Sequence, residues 1–183
     1  MVVLWATAAA VVALASCGAD PTGHNQADTE YAGDLVANHA QTVHLLNLSV
    51  GRPAVSAEAG LMADAARTRH LNELATASRM LRRWSEKVPE TGLEHSDEGR
   101  HVEFDTSIPG VLSGERIEAL ENEDGPAFER QWLRDLIVHE KGAIKLGATE
   151  AEKGQNANAM EFAKRDKAAH EATLRKLQGL LTS

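Results

Sequence analysis

Apolar residues recur at three- and four-residue intervals in four long stretches of this chain, the spacing of one helical face. Leu35, Val36, Val43 and Leu46 share a face in the first stretch, and Leu133, Leu136, Ile137 and Ile144 share one in the third. Laid over each other, Leu35 meets Leu136, Val36 meets Ile137 and Val43 meets Ile144. The second stretch places Ala66, His70, Glu73, Leu74, Ala77, Leu81 and Trp84 on one face. The fourth does the same with Ala163, Lys167, His170, Leu174, Leu177 and Leu181. His39 aligns with Glu140 at an offset of 101 residues and His70 with His170 at an offset of 100. A near-constant offset over both stretches marks an internal duplication of a helix pair.

Helix-boundary residues frame these stretches. Asp28 is a good N-cap for a first helix running to about Val50 and stopping at Gly51-Arg52-Pro53. Ser56 caps the second, with Glu58 in its first turn, and that helix should continue to about Glu86, before Pro89. Residues 87–112 hold Pro89, Gly92, Gly99, Pro109 and Gly110 and read as a long connection. Ser113 caps a short helix through Arg116, Ile117 and Leu120. Gly125-Pro126 opens the third long helix, with proline where its missing donor costs nothing, and Asn156 opens the fourth after a stop near Gly154. Strand signals are weak and aromatic residues few. The pattern predicts an all-α, ferritin-like four-helix bundle over residues 28–183, built from two duplicated hairpins, 28–86 and 113–183, joined by the 87–112 crossover.

The N-terminus has a different character. Residues 1–16 carry no charged side chain, and the apolar run from Val2 to Ala15 is shorter than the roughly 20 residues of a spanning helix. It leads into Leu14-Ala15-Ser16-Cys17, a lipobox, so residues 1–16 read as a cleaved signal peptide and Cys17 as the lipidated residue of a 17–27 tether. No Lys or Arg precedes the run; either the amino terminus alone supplies the positive charge or translation starts upstream of Met1. Cys17 is the sole cysteine, so no intrachain disulfide forms. The implied location is exported and lipid-anchored on the extracytoplasmic face of a membrane. A net charge of −8 argues against a nucleic-acid partner. The sequence names no protein partner.

In the middle of each apolar face stands a titratable residue: His39, His70, Glu140 and His170, with Glu73 one turn from His70 and His139 at the flank of its stripe. Bundle cores build metal sites from such side chains. Three imidazoles with one or two carboxylates suit a transition metal such as copper, zinc, nickel or iron better than calcium or magnesium. His139 is a supporting partner or an alternative ligand. The competing reading is a metal-free, buried His/Glu hydrogen-bond network that fixes helix register in a structural or partner-binding protein. Di-iron oxidase chemistry usually wants four carboxylates, and the core faces offer only Glu73 and Glu140. No phosphate loop, nucleophile elbow, catalytic cysteine or Cys-x-x-Cys-His haem motif is present, so the balance lies with binding rather than catalysis. Trp84, Trp132, Met62 and Met80 fall where core ends pack. His24, His44, His95 and His101 read as solvated.

Over nearly the whole mature chain these residues resemble the bacterial secreted family called domain of unknown function 305. Its repeated pattern is an apolar pair, His-His, Gly/Gln-Ala-Ile/Val and a later Gln-x-x-Glu-Ile. The first copy keeps Leu35-Val36, His39, Gln41 and Val43, with Asn38 in place of the first histidine. The second keeps Leu136-Ile137, His139 and Gly142-Ala143-Ile144, with Glu140 in place of the second. The family's later Gln is His70 and again His170, and Thr173 replaces the Glu in the second copy. Ile108-Pro109-Gly110-Val111-Leu112-Ser113 matches the lead-in to the family's second half. The resemblance implies a ferritin-like bundle, export and, since some members are periplasmic copper-binding proteins, metal handling in the cell envelope. With only Met62, Met80 and Met160 in the mature part, the chain lacks the thioethers of a methionine-rich Cu(I) store.

Overall fold

The computed structural model describes residues 23–91, 93 and 104–182. The predicted signal peptide, the predicted lipidation residue Cys17, His95 and His101 lie outside the described residues. Among the described residues five helices follow in order: α1 (Gln26–Leu48), α2 (Ala57–Arg83), the short α3 (Gly114–Glu121), α4 (Gly125–Lys153) and α5 (Ala157–Thr182). The predicted caps Ser56 and Ser113 accept from Ala59 N and Arg116 N, and Pro126 stands in the first turn of α4. α2 stops at Arg83, before the predicted Glu86, because Trp84 closes its last turn and Ser85 turns to a positive φ of 60°.

The first helix starts differently from the expectation. Asn25 is the N-cap and Asp28 the third helical residue, the two forming a reciprocal capping box. Asp28 is fully buried because its carboxylate works twice: besides Asn25 N at 2.7 Å, it accepts from Asn156 N at 2.9 Å and from Gln155 N. One side chain thus satisfies orphan donors at the starts of both α1 and α5. Glu150, also fully buried, lies against it. Burial and the adjacent Asp28 carboxylate push the Glu150 carboxyl up to about 8, so near neutrality it keeps a proton to share with Asp28.

α1 pairs with α2 and α4 with α5, each across a short turn, and α1 packs on α4 to join the hairpins; α2 and α5 touch sparingly. Every long helix carries the same three-zone order. One end joins an apolar cluster holding Leu45, Leu46, Ala63, Phe128, Trp132, Leu136 and Leu177. The other joins a cluster of Tyr31, Leu35, Val36, Leu81, Ala143, Leu146 and Ala163. Between the clusters lies a buried polar belt with Asn38 and His39 on α1, His70 and Glu73 on α2, His139 and Glu140 on α4, and Asp166 and His170 on α5. Trp132 donates from Nε1 to Leu45 O at 2.8 Å and so ties α4 to α1 at the first cluster. Met62 and Met80 are partly buried against the two clusters.

The end of the crossover is clamped over the belt. Gln41 reads both backbone groups of Leu112, accepting from its N at 2.7 Å and donating to its O at 3.0 Å. Gly110 adopts φ +86°, and its backbone lies on that of Gly142, where a Cβ would run into the Pro109 carbonyl. The short α3 is held to α4 by Arg116, which donates from Nε to buried Asp135 at 2.6 Å. No described helix is long and apolar enough to cross a membrane.

Candidate metal centre

The belt brings four of the predicted side chains to one point. One ligating atom from each of His39, His70, Glu73 and His170 lies within 4.8 Å of every other. Glu73 Oε2 is the hub, 3.2 Å from His39 Nε2, 3.5 Å from His70 Nδ1 and 3.8 Å from His170 Nε2. All four atoms are buried, and none has a hydrogen-bond partner. Buried polar atoms left this way are costly unless another group satisfies them.

The opposite sides of the imidazoles are, in contrast, held. His170 Nδ1 lies 2.6 Å from Glu140 Oε2, and His70 Nε2 lies 3.3 Å from Glu140 Oε1. Arg69 Nη2 also approaches His70 Nε2, at 3.2 Å, but it has Glu140 Oε1 at the same distance to donate to. The network therefore assigns the His70 Nε2 proton to Glu140. His39 Nδ1 faces Asn38 Oδ1 at 3.2 Å, and the orientation of Asn38 is fixed because its Nδ2 donates to Pro109 O at 3.0 Å. His39 and His70 then donate outward and turn a bare nitrogen inward, the arrangement by which outer partners prepare histidines for a metal. His170 donates outward to Glu140 and must give up a second proton at Nε2 before that nitrogen can ligate.

Electrostatics follow this geometry. Burial would raise the Glu140 carboxyl, but the His170 and His70 hydrogen bonds hold it well below the usual carboxylate range. Burial drives the His70 imidazole down to about 3, so it is neutral. Burial also opposes charge on His170, yet Asp166 and Glu140 on its two sides raise it to about 9. Arg69 supplies a positive charge at the rim, with Nε 3.4 Å from Glu73 Oε1 and Nη1 donating to Thr173 Oγ1 at 2.6 Å.

Of the two predicted site residues outside the four, His139 is buried beside this group. Both its ring nitrogens lack hydrogen-bond partners, and burial followed by the neighbouring His39 lowers it to about 3. Glu140 stands behind the imidazoles rather than among the four converging atoms. His44 is half-exposed against Glu121, and His24 stacks on Trp84 at 4.8 Å. Sequence reasoning did not single out Asp166 or Arg69. Asp166 Oδ2 lies 3.3 Å from His170 Nε2, whereas Lys167, which the stripe had favoured, is half-buried and pairs with Glu171 at 2.7 Å. The signal was an Asp-x-x-x-His pair one helical turn apart.

Two cavities approach the centre from the seam of α2 and α5. One, of about 700 Å³, is lined by Leu61, Met62, Arg69, Thr173 and Leu180. The other, of about 430 Å³, is lined by Thr68, Arg69, Asn72, Glu73 and Phe162. Arg69 borders both, and Glu73 is the one member of the four with appreciable solvent contact.

The family model described as "Domain of unknown function (DUF305)" matches residues 28–181. The chain belongs to the DUF305 family. Several solved structures share its fold. A DUF305 fragment from Deinococcus radiodurans superposes with a TM-score of 0.72 at 17% identity, over 86% of this chain and 97% of that one. A putative secreted DUF305 protein from Streptomyces coelicolor gives 0.71 at 18%, over 85% and 92%. CopM in its Cu(II)-bound form gives 0.67 at 13%, over 85% and 95%. No curated protein matches the chain. At these identities the likeness is one of fold, and the site rests on this chain's own residues. In this DUF305 protein the two departures from the His-His pattern have positions of their own: Asn38 orients His39, and Glu140 accepts from His70 and His170.

Proposed function

We propose that this protein is an exported, lipid-anchored DUF305 protein that binds a transition metal ion, copper, zinc or iron, in the belt between its two hairpins. His39 Nε2, His70 Nδ1, His170 Nε2 and Glu73 Oε2 hold the ion, while Glu140 and Asn38 orient the imidazoles and Arg69 closes the rim. The observation that carries this reading is the sorting of satisfied and unsatisfied atoms. A closed His/Glu network would satisfy its inner nitrogens as well as its outer ones, but here the outer atoms are bonded and the four converging ones are not. A bound cation supplies the charge and the acceptor of lone pairs that these atoms lack, acting as a Lewis acid at the shared point. The family supports location and ligand class: one neighbour is a putative secreted protein, and CopM was solved with Cu(II) bound. The lipid anchor at Cys17 rests on the lipobox, and the membrane is the partner it implies.

The test is the metal content of the full chain, purified in detergent without chelator or affinity histidines, against a His39→Ala, His170→Ala double variant. One equivalent of metal in the parent, absent from the variant, is the expected result. A parent that stays empty after dialysis against Zn(II), Cu(II) and Fe(II) overturns the reading and leaves the belt as a structural network.

A further inference from the structure

The four converging atoms do not exhaust the unsatisfied groups of the belt. Asp166 is 3% exposed, and neither of its carboxylate oxygens has a hydrogen-bond partner. Its Oδ2 lies 3.3 Å from His170 Nε2, the nitrogen that also faces Glu73. The position has no counterpart in the other half: Ala66 occupies the equivalent place on α2, just as Thr173 on α5 stands where α2 has Glu73. Glu73 and Asp166 are therefore carboxylates that each half adds without a counterpart in the other, and both face His170 Nε2.

We infer that Asp166 supplies a further donor, and that the centre is built for a divalent ion, Cu(II) foremost, and against Cu(I). The inference rests on the reading above that the belt holds a metal. Its first support is charge. Glu73, Glu140 and Asp166 bring three carboxylates into a buried space, and Arg69 brings one guanidinium within reach of Glu73 and Glu140. In the ligating form, with the imidazoles neutral and the His170 proton released on binding, two negative charges are left over. A dication cancels them, whereas a monovalent ion leaves one buried and unpaired, which is costly. The second support is donor chemistry. Three imidazole nitrogens and two carboxylate oxygens suit Cu(II), which leads the divalent series at such sites, while Cu(I) is selected by thiolate and thioether sulfur. The thioethers of Met62 and Met80 belong to the apolar clusters on either side of the belt.

The experiment titrates the full chain in detergent with Cu(II), Zn(II) and, anaerobically, Cu(I), each against a chromophoric chelator of known affinity. The expected order is Cu(II) above Zn(II), with Cu(II) bound at least about tenfold more tightly than Cu(I). Asp166→Asn is expected to weaken Cu(II) by at least about tenfold, to change the Cu(II) electron paramagnetic resonance spectrum, and to leave Cu(I) affinity in place. A parent that prefers Cu(I) overturns the charge argument without any variant. A variant that weakens both oxidation states alike, or neither, overturns the ligand role of Asp166. If circular dichroism shows that Asp166→Asn does not fold, Asp166→Glu replaces it. Loss of Cu(II) affinity from the displaced oxygen is then expected, and unchanged affinity overturns the assignment. A parent that binds none of the three ions defeats the metal reading itself, so the two failures are separable.

Discussion

Gly110 and Gly142 meet backbone to backbone, such that a Cβ on Gly110 would stand 2.9 Å from the Cα of Gly142. The contact seats the end of the crossover in a notch on α4, beside the residues that orient the centre. Gly142→Ala is expected to cost about 1–3 kcal/mol through overpacking, read as a lower urea midpoint at unchanged slope. Gly60→Ala, in α2 with open space around its Cα, is the control and should stabilise by roughly 0.5–1 kcal/mol.

Glu150 predicts a pH dependence with a defined sign. Its carboxyl ionises near 4.5 when free and at about 8 in the folded protein, so the native state binds the extra proton between those values. The stability it contributes is fully present below about pH 4.5 and is lost as pH rises through 8. His70 and His139, lowered to about 3, act in the opposite direction between about 3 and 6.5. The difference between parent and Glu150→Gln therefore isolates the effect. Melting temperatures from pH 4 to 9 should show the parent losing stability relative to the variant across that window, and parallel curves would contradict the assignment.

Arg69 faces two carboxylates. Arg69→Gln leaves Glu73 and Glu140 without their guanidinium and is expected to destabilise the metal-free protein by roughly 2 kcal/mol, a figure kept low because Arg69 is partly solvated. Saturating Zn(II) should recover most of that loss, since a ligand bound only by the native state raises its stability. Thermal melts with and without Zn(II) measure both numbers.

Asn38 is the outer partner of His39. Asn38→Leu removes the acceptor of the Nδ1 proton, and metal affinity is expected to fall about 10–100-fold while the ligands themselves remain. Isothermal titration at fixed pH checks it.

Much of this architecture was legible before the structure. The duplication, the apolar faces, and Ser56, Ser113 and Pro126 all act locally, and local patterns survive in a sequence. What escaped depends on depth or on distant partners. Asp28 looks like a cap because its role with Gln155 and Asn156 is visible only across the fold. On a helix one residue is about 100° of rotation, so a stripe drawn through Lys167 misses Asp166. A stripe also assigns a face without saying which side of a neighbour a group will occupy. Glu140 and Glu73 both point inward, but only the folded belt separates the carboxylate behind the imidazoles from the one among them.

His39, His70 and Glu73 come from one hairpin, and Glu140, Asp166 and His170 from the other, about a hundred residues away along the chain. Groups so separated meet only once the hairpins dock, a late event with a high loop-closure cost. A cation bridging the two sets is then absent from the transition state for folding and present in the product. It should leave the refolding rate nearly unchanged and slow unfolding by almost the whole binding energy, which would make the metal a brake on leaving the native state rather than a guide towards it.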